Sequence, residues 1–152
     1  TYGADGNKFG HTDQDGIERF WRHLLAGAAS LRFHRPDSGL GLGDKAVACL
    51  KAARKLASVI PPWEVTAANT LLTGREVDEA YLAAAPGRYY GIYFPSGGEV
   101  GLDLSPVRGR LLLRWINIDT GEWGNEAELE GGMTVEIRSP GNGNWAAAIR
   151  AD

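Results

Sequence analysis

The sequence predicts an α+β fold: an antiparallel β-sandwich of about seven or eight strands over residues 63–152, preceded by a helix–strand–helix segment over residues 1–62. Three observations carry this. Apolar residues before position 62 recur at helical spacing, those after it alternate with a period of two, and Pro61-Pro62 separates the two regimes. The second regime is also punctuated at short intervals by glycine-rich turns.

In the first regime, Ile17, Phe20, Trp21, Leu24, Leu25 and Ala28 fall at i, i+3, i+4, i+7, i+8 and i+11. That is one continuous stripe, and it predicts a helix over about 13–28. Thr12 or Asp13 is placed to cap it, and Asp15 and Glu18 put acid in the first turns, where the helix dipole favours it. A second helix is expected over 44–59, with Asp44 as N-cap and Val47, Leu50, Ala53, Leu56 and Ala57 inward. Lys51, Arg54 and Lys55 face out, and Pro61-Pro62 stops it. Between the helices, "SLRFHR" (30–35) reads as a short strand, and Pro36, Gly39, Gly41 and Gly43 as the loop that follows it.

In the second regime, residues 89–94, 99–104, 110–118, 133–138 and 145–150 read as strands, joined by 79–85 and part of 64–72. "PSGG" (95–98), "SPVRG" (105–109), "DTG" (119–121) and "SPGNGN" (139–144) carry the turn chemistry between them.

Composition narrows the function. A chain of 152 residues buries enough surface for a core without covalent staples. Its net charge of −3 and pI near 5.6 argue against a phosphate-backbone binder, so no nucleic-acid partner is expected. No apolar run approaches the ~20 residues that span a bilayer, so no membrane partner is expected either. A single cysteine, Cys49, excludes an intrachain disulfide and reads as a small buried apolar residue. His11, His23 and His34 lack ligand spacing, so no metal is expected, and no motif calls for a cofactor. "GLGLG" (39–43) lacks the lysine of a phosphate loop and reads as loop geometry. No signal peptide is visible, and the opening "TYGADG" lacks a methionine, as in a processed product or a piece of something longer. Secreted and cytoplasmic bacterial locations both stay open.

The stretch "FGHTDQDGIERFWRHLLAGAASLRFHRPDSGLGLGDKAVACLKAARKL" resembles the end of the (β/α)8 domain in a large group of glycoside-hydrolase-like proteins from environmental bacteria. "YYGIYFPSGGEVGLDLSPVRGRLLLRWINIDTGEW", followed by "PGNGNWAAAIR", is similar to the small β-sandwich behind that barrel. That sandwich carries a collagen-binding label, although its usual setting is carbohydrate-active enzymes. The resemblance implies a barrel remnant over 1–62, a sandwich over 63–152, and a carbohydrate-active protein that hydrolyses or binds polysaccharide. Its alternative is a non-catalytic sugar-binding or structural accessory module. A carbohydrate is the partner implied, and a second copy of the chain is a candidate to complete the missing barrel contacts.

Barrel glycosidases use two carboxylates, which the family places on strands four and seven. The strand-four acid/base has no place in this chain, and Asp5 is the carboxylate nearest the expected strand-seven position. If the chain hydrolyses glycans, Asp5 and Glu18 are the candidate acid and base, with His34 beside them. Alternation on a strand sends Arg32 and His34 to one face and Phe33 and Arg35 to the other. Arg32 and Arg35 are candidate substrate contacts, and at the end of a barrel strand, as the resemblance implies, Arg32 and His34 point inward toward sugar hydroxyls. Trp63, Trp123 and Tyr90 are candidate sugar-stacking aromatics at the surface, whereas Trp115 and Trp145 are expected to be buried. Capping and turn chemistry account for Asp13, Asp15 and Asp37.

Overall fold

The structure is a computed structural model, and it describes residues 12–31 and 42–152. Among the described residues two helices, α1 (Asp13–Leu25) and α2 (Asp44–Val59), precede nine strands. These are β1 (Thr66–Ala67), β2 (Leu72–Thr73), β3 (Tyr81–Ala85), β4 (Tyr89–Phe94) and β5 (Glu99–Asp103), then β6 (Arg110–Asn117), β7 (Glu122–Glu130), β8 (Thr134–Arg138) and β9 (Trp145–Ala151). A 3₁₀ turn, Asn69–Leu71, lies between β1 and β2. The strands form a six-stranded sheet in the order β1-β3-β4-β9-β6-β7 and a three-stranded sheet in the order β2-β5-β8. Every pairing is antiparallel. The α+β class and the antiparallel sheets therefore match the expectation.

The larger sheet is covered on both faces. Toward the smaller sheet it contributes Leu82, Tyr90, Ile92, Phe94, Leu113 and Ile149, which pack on Val100, Leu102 and Ile137. Toward the helices it contributes Ala83, Tyr93, Ile116, Ala146 and Ala148, which pack on Ile17, Phe20, Trp21, Leu25, Cys49 and Leu56. Period-two alternation thus sends apolar residues to two different cores, so β4 and β9 read as continuous apolar runs. The floor beneath the helices is made of small residues. A Cβ built on Gly91 would lie 3.3 Å from Ile60 Cδ1 and 3.7 Å from both Leu25 Cδ2 and Leu56 Cδ1.

Thr12 caps α1 in a full capping box: its hydroxyl accepts from the Asp15 amide while the Asp15 carboxylate accepts from the Thr12 amide. The helix stops at Leu25, three residues before the predicted end. Gly27 adopts φ +82°, and the Ala28 amide closes back on the His23 carbonyl at 3.0 Å. Ala28 is exposed beyond that stop.

Helix α2 has the predicted bounds but a different cap and inner face. Gly43 is its N-cap and Asp44 its first residue. Val47, expected inside, is 38% exposed, and Ala57 is exposed too. The buried side is Ala46, Cys49, Ala52 and Leu56. The larger apolar residues mark the wrong stripe because the floor is close, and small side chains let the helix approach it.

Strand β7 is the element the sequence hid. "EWGNEAELE" carries four glutamates, is an edge strand, and is nowhere fully buried, so it shows no apolar alternation. Arg114 pairs with Glu126 and Ile116 with Trp123, a register shift that places an extra residue in β7. The 64–72 segment splits into β1, the 3₁₀ turn and the start of β2. Of "SLRFHR", Ser30 and Leu31 are not in a strand, and residues 32–35 lie outside the described residues.

Candidate functional site

Two polar regions stand out where α1 meets the sheet. The first is buried. Tyr93, on the helix side of β4, donates its hydroxyl hydrogen to Asn144 Oδ1 at 2.8 Å. Asn144 is 3% exposed, and its Nδ2 donates to Gln14 Oε1 at 2.8 Å and to Asp119 Oδ1 at 2.9 Å. Its backbone amide donates to the second Asp119 oxygen at 3.0 Å. Gln14 Nε2 lies within reach of Glu18 Oε1 (3.0 Å), the Pro95 carbonyl (3.1 Å) and Asn144 Oδ1 (3.1 Å). Burial pushes the Tyr93 phenol far up, and the charges of Glu18 and Asp119 add to it, so the ring stays neutral and donates. Trp21 stacks on one side of Tyr93 at 5.6 Å and Tyr81 lies near-parallel to it at 6.2 Å.

Glu18, the candidate acid or base, therefore sits in a network that ties α1 to the loops after β4, β6 and β8. Nothing in the sequence marks Gln14, Asp119 and Asn144 as partners of one another. The signal available was the polar "GNGN" turn opening a strand of alanines, and it reads equally well as plain turn chemistry.

The second region is an open cleft of about 470 Å³ at the C-terminal end of α1. Arg19, Arg22 and His23 line it from the helix, and Ala67, Asn69, Tyr81 and Leu82 from the sheet side. The Arg22 guanidinium lies 4.9 Å from the Tyr81 ring centre and that of Arg75 5.3 Å. The Tyr81 hydroxyl donates to Asp78 Oδ1. Desolvation first, then that bond to a carboxylate, push the phenol up to about 12, while Arg22 pulls the other way.

The remaining candidates separate. Asp5, Arg32, His34 and Arg35 lie outside the described residues, as do His11 and Asp37. Trp63 is 83% exposed in the turn between α2 and β1. Trp123 is half-buried on β7, at the opposite edge of the sheet, beneath the Arg114 guanidinium at 3.9 Å. Tyr90, expected at the surface, is fully buried between the two sheets, because its parity on β4 points it inward. Its phenol oxygen accepts from the Gly87 amide at 2.7 Å, so it is a core residue. Trp115 is buried as expected; Trp145 is only half-buried, with its Nε1 donating to the Asn142 carbonyl at 3.0 Å. Cys49 is buried, and desolvation raises its thiol from 9.0 to about 12, against a lowering contact with Trp21. Among the described residues no group of His, Cys, Asp and Glu is placed to hold a metal ion.

No family model and no curated protein matches the sequence. Solved structures do match the fold. A glycoside hydrolase family 5 protein from Bacteroides vulgatus ATCC 8482 aligns with a TM-score of 0.69 at 16% identity, over 93% of this chain and 37% of its own. A second structure, described as a glycoside hydrolase, aligns with a TM-score of 0.68 at 14% identity, over 91% of this chain and 37% of its own. The chain thus spans little more than a third of the length of these two proteins. The overlap is too large for the strands alone, so the shared part takes in the helical segment. At such identities the likeness is one of fold: the helix pair and the two sheets together have the architecture of part of a glycoside hydrolase.

Proposed function

We propose that this chain is the trailing part of a glycoside-hydrolase-related, carbohydrate-active protein, in which the two helices join the sandwich to a catalytic barrel. One observation carries the reading. The fold match covers nine-tenths of this chain but 37% of the glycoside hydrolases it matches. The described carboxylates support a supporting role. Both oxygens of Asp119 accept from Asn144, and Glu18 accepts from Gln14, so these groups hold the junction together. Hydrolysis then depends on carboxylates outside the described residues.

The test measures reducing-end release from a panel of plant and microbial polysaccharides. It compares this chain with the product of the reading frame extended upstream of Thr1. Hydrolysis by the extended protein alone is expected. Hydrolysis by the chain itself, lost in Glu18→Gln, would overturn the reading.

A second reading, a sugar-binding accessory module, draws on the exposure of Trp63, since an indole face packs against the apolar face of a pyranose. Retention of the chain on an insoluble polysaccharide, lost in Trp63→Ala, is its signature.

A further inference from the structure

We propose that Asn142 is a site of spontaneous deamidation, and that its isoaspartyl product loosens the hold of Asn144 on α1. The loop between β8 and β9 contains the one asparagine of the chain that a glycine follows, Asn142-Gly143. A glycine amide nitrogen approaches the preceding side chain freely, because the residue has no Cβ to hinder it. Both reacting groups are unengaged. Asn142 is exposed and its side chain makes no hydrogen bond among the described residues, and the Gly143 amide donates to no acceptor there. The other described asparagines differ. Asn69, Asn117 and Asn144 each hold their side-chain oxygen on a donor, while Asn125 lies within β7 and precedes Glu126. Glycine is also required at 143, where φ is +91° and a Cβ would lie 2.8 Å from Asp119 Oδ2. The fold therefore retains the residue that makes Asn142 labile.

The Gly143 nitrogen attacks Asn142 Cγ and the new C–N bond closes a five-membered imide. The side-chain nitrogen leaves as ammonia, taking up the Gly143 amide proton. Water then opens the imide at either carbonyl. Opening at Cγ gives aspartate; opening at the main-chain carbonyl gives isoaspartate, whose chain runs through Cγ and is one methylene longer. Nothing is oxidised or reduced, and either product adds one negative charge. The loop has no slack for that methylene. Before it, Ser139 Oγ accepts from the Gly98 amide and donates to the Gly141 carbonyl, both at 3.0 Å. After it, Gly143 lies against Asp119, and the Asn144 amide donates to the same carboxylate at 3.0 Å. In isoaspartate the carbonyl that accepts from Trp145 Nε1 also becomes the free carboxylate. The displacement therefore falls on Asn144, whose side chain holds Gln14, Tyr93 and Asp119. This chemistry is independent of the proposed function.

The test ages the purified chain in mildly alkaline buffer, maps deamidation by peptide mass spectrometry and labels isoaspartate with isoaspartyl methyltransferase. Asn142 should lose ammonia at least about tenfold faster than Asn69, Asn117, Asn125 or Asn144, a difference of about 1.4 kcal/mol in barrier. Amide hydrogen exchange at the start of α1 should quicken in step with the isoaspartate fraction at 142. Asn142→Gln closes the imide far more slowly and should keep its fresh exchange rates through the same treatment. Freshly made Asn142→Asp carries the charge without the methylene and should match wild type at α1. Deamidation spread evenly over the asparagines, or concentrated at another one, would overturn the site. Isoaspartate at 142 with unchanged exchange in α1 would overturn the loosening. Equal quickening in aged Asn142→Gln or in fresh Asn142→Asp would overturn its assignment to the lengthened main chain.

Discussion

The side-chain amides of Gln14 and Asn144 face each other and donate in both directions, Asn144 Nδ2 to Gln14 Oε1 at 2.8 Å and Gln14 Nε2 to Asn144 Oδ1 at 3.1 Å. They are 130 residues apart in sequence. This reciprocal pair fixes the start of α1 to the strand that runs through the middle of the larger sheet. Around it, the Tyr93 hydroxyl and the Asp119 carboxylate are satisfied by the same asparagine.

Asn144→Ala strands several of these groups at once, and is expected to cost about 3 kcal/mol in urea unfolding, the scale of leaving buried polar partners unmade. Gln14→Ala, whose site is half-buried and open to water, should cost about 1 kcal/mol. Asn144→Asp adds a carboxylate beside Asp119 and Glu18. Its folded pKa would be raised, so the variant should approach wild-type stability near pH 4 and lose it as the pH rises to 7. Equal urea midpoints for Asn144→Asp and wild type at pH 7 would contradict this.

Gly91 sets the height of the helix pair above the sheet. Gly91→Ala adds one methyl at 3.3 Å from the Ile60 terminal carbon, which a small shift of that side chain relieves. It should change stability by less than about 1 kcal/mol. Gly91→Leu must lift Ile60, Leu25 and Leu56 together and should cost about 3 kcal/mol, at the upper end of overpacking. Thermal midpoints of the two variants test the ordering.

Cys49 should be silent toward a thiol reagent at pH 8.5 in the folded protein and react fully in denaturant, since burial holds its pKa near 12. The linkage has a sign. A thiol whose folded pKa lies above its unfolded value of 9.0 stabilises the fold below that value, and the contribution is lost as the pH rises from 9.0 toward about 12. Cys49→Ala should flatten that part of the stability profile.

Two of the aromatic residues proposed for sugar contact should part company. Trp63→Ala is expected to leave stability within about 0.5 kcal/mol, because the indole is at the surface. Tyr90→Phe removes the acceptor for the Gly87 amide and should cost about 1 kcal/mol. Polysaccharide retention should be indifferent to Tyr90→Phe, a core change, and sensitive only to the exposed tryptophan if the accessory reading holds.

The helical stripe on α1, the bounds of α2 and five of the longer strands were legible because each has a buried face with the right period. Strand β7 was illegible for the converse reason. Its glutamates pair with Arg110 and Arg114 on the neighbouring strand, so the element is held by backbone pairing and exposed charge, with no apolar pattern to reveal it. The inward turn of α2 is hidden in the sequence because side-chain volume is a poor guide where a helix lies on alanine and glycine. For Tyr90, aromatic character suggests the surface, whereas strand parity with Ile92 and Phe94 points it inward. The site was least legible of all. The Gln14–Asn144 pair and the cleft under Arg22 join residues far apart in the chain, and only the closed fold brings them together.

The position of β9 has a consequence for how the chain is made. It is the last strand along the sequence, yet it lies between β4 and β6 in the larger sheet. Until residues 145–151 leave the ribosome, β4 and β6 each show an open hydrogen-bonding edge, and neither half of the sheet can join the other. A nascent chain stopped at residue 144 should therefore expose unpaired strands and depend on chaperones, and the arrival of seven residues, four of them alanine, joins the two halves of the larger sheet in one step.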